Sequence, residues 1–238
     1  MLCDLICVEA DPLIGLRLGP NVYREPLTLV LDHEFWRPDL PIPEKWRQSR
    51  SPGEVVVYHG VGNYRERITP DHDVKGSGAV FAAIDRLRSE GENVRLQFAT
   101  DIPNKEVRYI QAQSDIIVDQ LYYGRYGATA REGLMLGKPV VGRLNRMEEI
   151  RGAESQCISE APIVHATVDT VYDVLKDLIR APEKRRRIGQ ASRSYALKWW
   201  SADACAARYE RVYDRMMAGR PVWPRAPRCV RRGSVRAG

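Results

Sequence analysis

Apolar residues along the chain come in two rhythms. Short unbroken runs, Val55–Tyr58, Val94–Ala99, Ile116–Val118 and Val140-Val141, read as buried strands, and Ile163–His165 as a last one. Between them, apolar positions recur every three or four residues, the spacing of a helix with one buried face. Gly76–Arg88 is such a stretch, with Val80, Phe81, Ile84 and Leu87 on one side. A helix from Asn104, as its cap, to Gln113 and another over Ala128–Leu136 follow. Three more complete the chain: Val168–Ile179, Pro182–Trp199 and Ala202–Met217. Pro182 suits a first helical turn and Ser201 a cap. Strands separated by helices in this way predict an α/β fold, a doubly wound parallel sheet covered on both faces.

The pattern before residue 51 differs. Leu5–Val8 and Leu27–Leu31 read as strands, and Asp32–Pro43 brings three prolines among charges, an extended linker. Trp46–Gly53 is polar and closes on Pro-Gly, so a unit boundary is expected near Ser51. The expected organisation is a leading segment over 1–50, a nucleotide-binding domain over 51–218 and a disordered basic tail over 219–238.

Composition changes this picture at the tail. The net charge is +6, yet six arginines and no acid lie beyond residue 218. Without them, 31 basic residues face 31 acidic ones, so the body is neutral. That argues against nucleic acid as the partner of the body. The tail itself has two readings, a solvated end or contact with anionic lipid head groups or RNA. No apolar run approaches the length of a membrane span, and the first residues lack the pattern of a secretory leader. The five cysteines are odd in number and scattered, which fits free thiols in a reducing compartment. The expected location is cytoplasmic, with peripheral contact at the inner face of the membrane as the variant the tail allows.

In a doubly wound sheet, ligands bind beyond the carboxyl ends of the strands. Three loops lie there, after Tyr58, Ala99 and Val118. The first carries Gly60 and Gly62, which let a backbone approach a ligand, and the cations Arg65, Arg67 and Lys75. Point charges beside a helix start suit a diphosphate; a mobile basic loop with no ligand is the alternative. Asp71-His72-Asp73 is a D-x-D triplet, open to reading as a metal site or as an aspartate helix cap. His59, at a strand end, faces the same cleft.

The third loop leads from Asp119 through Tyr122–Gly127 into a helix that starts at Ala128. Gly127 removes side-chain bulk there, and the free N–H groups at Ala128 and Thr129 can hold an anion. Glu132, one turn in, can accept two hydrogen bonds from vicinal hydroxyls, as on a ribose, or can simply complement the helix dipole.

Taken together these stretches carry a resemblance. GATAREGLMLGKPVV is similar to the E-x7-E region of group 1 glycosyltransferases, matching at Gly127, Glu132, Gly137, Pro139, Val140 and Val141. VDQLYYGRYG resembles a variant of the preceding loop. Lys75-Gly76 resembles the family's Lys-Gly, and Pro182-Glu183, Arg193 and Tyr213 fit its later part. The likeness runs from about Val55 to Met217. It implies a GT-B architecture of two facing domains, of which this is the donor-binding one. It implies that Lys75, with Arg65 or Arg67, neutralises the departing diphosphate without a metal, and that Glu132 contacts the ribose. Gly60, Gly62, Asp119, Gly127, Ala128 and Thr129 would complete the nucleotide-sugar contacts. The family's first motif glutamate falls on Gly124 here, with Asp119 nearby. A full enzyme also has an acceptor domain of similar size, and the roughly fifty residues before residue 51 resemble a remnant of one, its last strands and linker.

The expected function is therefore sugar transfer from a nucleotide-sugar to a glycan or lipid acceptor, with no cofactor beyond that substrate. The chain would act as a donor-binding half, alone or with a separate acceptor-domain chain. The alternative is a non-catalytic nucleotide-sugar-binding module.

Overall fold

A computed structural model describes residues 6–7, 22–23, 30–67, 73, 75–144 and 160–219. Strands β1 (Ile6–Cys7) and β2 (Val22–Tyr23) form a small parallel pair. The main sheet holds β3 (Val55–Gly60), β4 (Val94–Ala99), β5 (Ile116–Val118), β6 (Val140–Gly142) and β7 (Val164–His165). All pairings are parallel and the order is β4-β3-β5-β6-β7. The expected doubly wound α/β fold is what forms. The helices are α1 (Tyr64–Arg67), α2 (Ser77–Ser89), α3 (Asn104–Ala112), α4 (Ala128–Met135), α5 (Val171–Arg180), α6 (Pro182–Trp200) and α7 (Ala202–Met217). Ser201 caps α7 as expected, accepting the Ala204 N–H at 3.3 Å.

Strand alternation sends successive side chains to opposite faces, so a sheet covered on both sides reads as unbroken apolar runs. On one face, Val55, Val57, Ile116 and Val118 pack under α2 and α5. The α2 positions Val80, Ala83, Ile84 and Leu87 are all buried there, each worth about 1.5–3 kcal/mol. Phe81 is only half-buried, and its ring meets Phe98 edge-on. On the other face, Tyr58, Ile117 and Val140 pack against α3, α4 and α6.

The segment before the sheet departs from the extended linker expected of Asp32–Pro43. It folds into turns, and Trp36 and Leu40 join the second core. Prolines favour extended backbone, but burying a tryptophan outweighs that preference. Arg193 of α6 fastens the segment, donating to the carbonyls of His33, Trp36 and Met135. Arg108 stacks on Phe35 with its guanidinium 3.4 Å from the ring centre. The expected strand Leu27–Leu31 lies outside the described residues up to residue 29. Leu31 itself is not in a strand; its N–H bonds the Trp200 carbonyl. Helix α5 starts three residues later than expected, because Thr167–Thr170 is a turn closed by the Thr170 hydroxyl. The basic tail beyond residue 219, Glu148-Glu149, and the residues Asp71 and His72 lie outside the described residues. Among the described residues, no helix is long and apolar enough to cross a membrane.

Candidate functional site

The sheet order reverses between β3 and β5: the chain steps from β3 outward to β4, then returns to the other side of β3. A crevice opens at that point beyond the strands' carboxyl ends, and ligands of such sheets sit there. Two helix starts flank it, those of α2 and α4.

At α2 the turn is Lys75-Gly76. Gly76 has φ +70, and a Cβ there would lie 2.9 Å from both Leu121 Cβ and Val168 Cγ1. Only glycine takes that conformation without strain. Asp73 caps the helix, its two oxygens accepting the N–H groups of Gly76 and Gly78 at 2.9 and 3.3 Å. Of the D-x-D triplet, the one described aspartate thus serves the helix end.

Lys75 is buried and points across the crevice. Its Nζ donates to Asp119 Oδ1 at 2.6 Å and to Thr129 Oγ1 at 3.3 Å. Asp119, at the end of β5, uses its other oxygen to accept the Gly127 N–H at 2.6 Å. The strand end thereby ties together the starts of α2 and α4. Four of the residues expected at the site, Lys75, Asp119, Gly127 and Thr129, come together in this way. Ala128 lies beside them, exposed at the first position of α4.

Glu132 is buried one turn further along α4. Asn104 donates to its Oε1 at 3.1 Å and Gln111 to its Oε2 at 2.9 Å. Burial pushes the carboxyl above its ordinary value, Gln111 and Asn104 pull it back, Asp119 raises it and Lys75 lowers it. Burial pushes the nearby Tyr58 phenol well above its usual range, with Gln111 pulling it back. Asn104 was expected to cap α3. Instead Pro103 stands at the cap, and the Asn104 amide is directed at Glu132. Asn104 and Gln111 were missed as site residues. They lie two helical turns apart on one face, and a pair of amides so placed was the available signal.

The glycines after β3 differ from one another. The space a side chain would need at Gly60 holds the Tyr58 phenol, since a Cβ would lie 2.2 Å from its oxygen. At Gly62 nothing lies within 4 Å, so the backbone there faces open space. Arg65 is exposed on α1, and no contact joins it to Lys75 among the described residues. Arg67 ends α1, and its side chain is outside the described residues. Gly124, where an acid was expected, has φ +74, a conformation that favours glycine.

His59 is fully buried. Its Nδ1 lies 3.1 Å from the Val118 carbonyl and its Nε2 3.0 Å from Ser77 Oγ. A carbonyl can only accept, so Nδ1 carries the proton and Nε2 accepts from the serine hydroxyl. The ring joins β3, β5 and α2, and does not face the crevice as a free base. Burial is the main reason its pKa falls to about 4. The imidazole is protonated in the unfolded chain below about 6.5 while the folded one stays neutral. Stability is therefore full above pH 6.5 and is lost as the pH falls towards 4. Linkage predicts a loss of about 2 kcal/mol between pH 8 and pH 5 from this group. Urea unfolding of wild type and His59→Gln at both pH values checks it; an equal acid loss in the variant would assign the effect elsewhere.

No family model matches the chain. The MMP alpha-(1->4)-mannosyltransferase of Mycolicibacterium hassiacum is 28% identical over an alignment of 188 positions that covers 66% of this chain and 45% of that protein. The chain thus spans about half the length of the curated relative it matches. Among solved structures, an Anabaena protein in complex with UDP and glucose superposes with a TM-score of 0.58 at 12% identity, over 89% of this chain and 63% of that one. The C-terminal domain of a glycosyl transferase group 1 family protein from Francisella tularensis superposes with a TM-score of 0.50 at 14% identity, over 72% of this chain and 99% of that domain. The chain has a mannosyltransferase as a homologue and a fold shared with GT-B glycosyltransferases, consistent with a group 1 glycosyltransferase.

Proposed function

We propose that this chain is the donor-binding half of a glycosyltransferase that moves a sugar from a nucleotide-sugar to a glycan or lipid acceptor. The observation that carries this is the convergence of Lys75 and the α4 start on the crevice between β3 and β5. A departing diphosphate needs fixed positive charge, and a buried ammonium beside free helix N–H groups supplies it with little rearrangement. Glu132, fixed by Asn104 and Gln111, is the carboxylate within reach of ribose hydroxyls. Gly62 offers open backbone at the rim, and Arg65 and Arg67 on α1 are the further cations for the phosphates.

Residues 51–218 form the donor-binding domain in this reading, and 1–50 belong to what precedes it. Acceptor recognition falls to an acceptor domain, on a partner chain or a longer form of this one. The work would lie in the cytoplasm, at the inner membrane face where the acceptor is a lipid. The curated relative's mannosyl transfer makes a mannose nucleotide the first donor to try.

Titration of UDP and GDP onto the protein tests the site. Lys75→Ala and Glu132→Ala should each weaken the preferred nucleotide roughly tenfold or more, the loss of one good polar contact. Unchanged affinity in both variants would sink the assignment.

A further inference from the structure

The sequence places Asp119 among the residues that touch the donor. Its surroundings assign it another task. We infer that Asp119 is a positioning residue, holding the Lys75 ammonium against the start of α4 so that the diphosphate site exists before any ligand arrives. The inference rests on the donor-binding reading above and deepens it.

Both Asp119 oxygens are already engaged inside the protein. Oδ1 takes Lys75 and Oδ2 takes the Gly127 N–H, both at 2.6 Å, and the side chain is 1% exposed. Lys75 is different. Of its three N–H groups, one meets Asp119 and one meets Thr129 Oγ1, which leaves one to donate. The pair therefore aims a proton donor and spends an acceptor.

The two segments it joins are distant along the chain: Lys75 is 44 residues before Asp119 and Gly127 is 8 after. Without the carboxylate, a lysine on a flexible stem has no reason to lie beside Thr129. Ordering it then becomes a cost of binding, and removing that cost in advance is what preorganisation does. An asparagine keeps the shape and one acceptor but turns an amide towards the ammonium, so the lysine is released.

The test is a double-mutant cycle on the full chain, with UDP and GDP affinity read by calorimetry. The four proteins are wild type, Asp119→Asn, Lys75→Met and the double variant. Asp119→Asn is expected to weaken the preferred nucleoside diphosphate about as much as Lys75→Met, and to weaken the matching nucleoside less. The double variant is expected to bind no worse than Lys75→Met alone, because Asp119 acts through the lysine. Equal or tighter binding by Asp119→Asn would overturn the inference, the tighter case marking Asp119 as a competitor of the diphosphate. Losses that multiply in the double variant would overturn it too. If Asp119→Asn does not fold, Asp119→Glu serves: it keeps the charge, displaces the ammonium by a methylene, and should lose affinity; unchanged affinity overturns the inference. If wild type binds neither nucleotide, the donor-site reading itself fails and takes this one with it, an outcome distinct from tight wild-type binding that Asn leaves untouched.

Discussion

Alanine at Gly189 is expected to destabilise the fold by at least about 3 kcal/mol. Two effects oppose each other there. Gly189 lies inside α6, and glycine in a helix interior costs about 1 kcal/mol relative to alanine, so propensity favours the change. Packing opposes it. The added Cβ would lie 2.3 Å from the Gly137 carbonyl oxygen, far inside contact distance. Both partners are backbone, so neither can swing away as a side chain would. Gly137 is itself held at φ +69 where α4 turns into β6. Relief requires α6 to lift from that turn, and the same helix carries Arg193 and the buried Tyr195 and Trp200 rings, 5.0 Å apart. Urea unfolding measures the loss. A change under about 1 kcal/mol would show that the α6 contact opens freely, contrary to this packing.

Alanine at Gly76 should damage fold and ligand site together. Part of the cost is local: a left-handed φ on an L-residue costs about 1–2 kcal/mol. The rest is contact, since the new methyl meets the Cβ of Leu121 and a methyl of Val168, both at 2.9 Å. The sum is roughly 2–4 kcal/mol. The next residue back is Lys75, whose ammonium must reach 2.6 Å from Asp119. A shifted turn misaims it, so UDP or GDP affinity should fall even at temperatures where the variant is folded. Unfolding and titration on one sample read both effects. Lower stability with full affinity would show that the lysine finds its place independently of the turn.

What could be read from the sequence divides along physical lines. The strands around Val57, Ile117 and Val141 were legible because a doubly covered parallel sheet leaves no polar position to break an apolar run. The α4 start was legible because Gly127 and the small residues after it mark a helix end directly. The Lys75–Asp119 pair was not, because nothing local in either residue names a partner 44 positions away. Asp32–Pro43 misled because proline reports backbone preference, while the fate of that segment is decided by Trp36 and Leu40 finding a core made elsewhere. Asn104 misled in a related way. As a residue type it suits a helix cap, but a buried carboxylate on α4 offered its amide a stronger partner.

The Arg193 clamp has a consequence for how the chain comes to be folded. Its bonds to the carbonyls of Trp36 and His33 span 157 and 160 residues. The earlier partners are synthesised long before the arginine exists. At about 5–20 residues per second, roughly ten to thirty seconds pass between them. Over that interval Trp36 and Leu40 have no finished surface to cover them, and the sheet must form without its strap. These late contacts are thus the ones that cover Trp36 and Leu40, and a nascent chain stalled before α6 would present both side chains to any chaperone in reach.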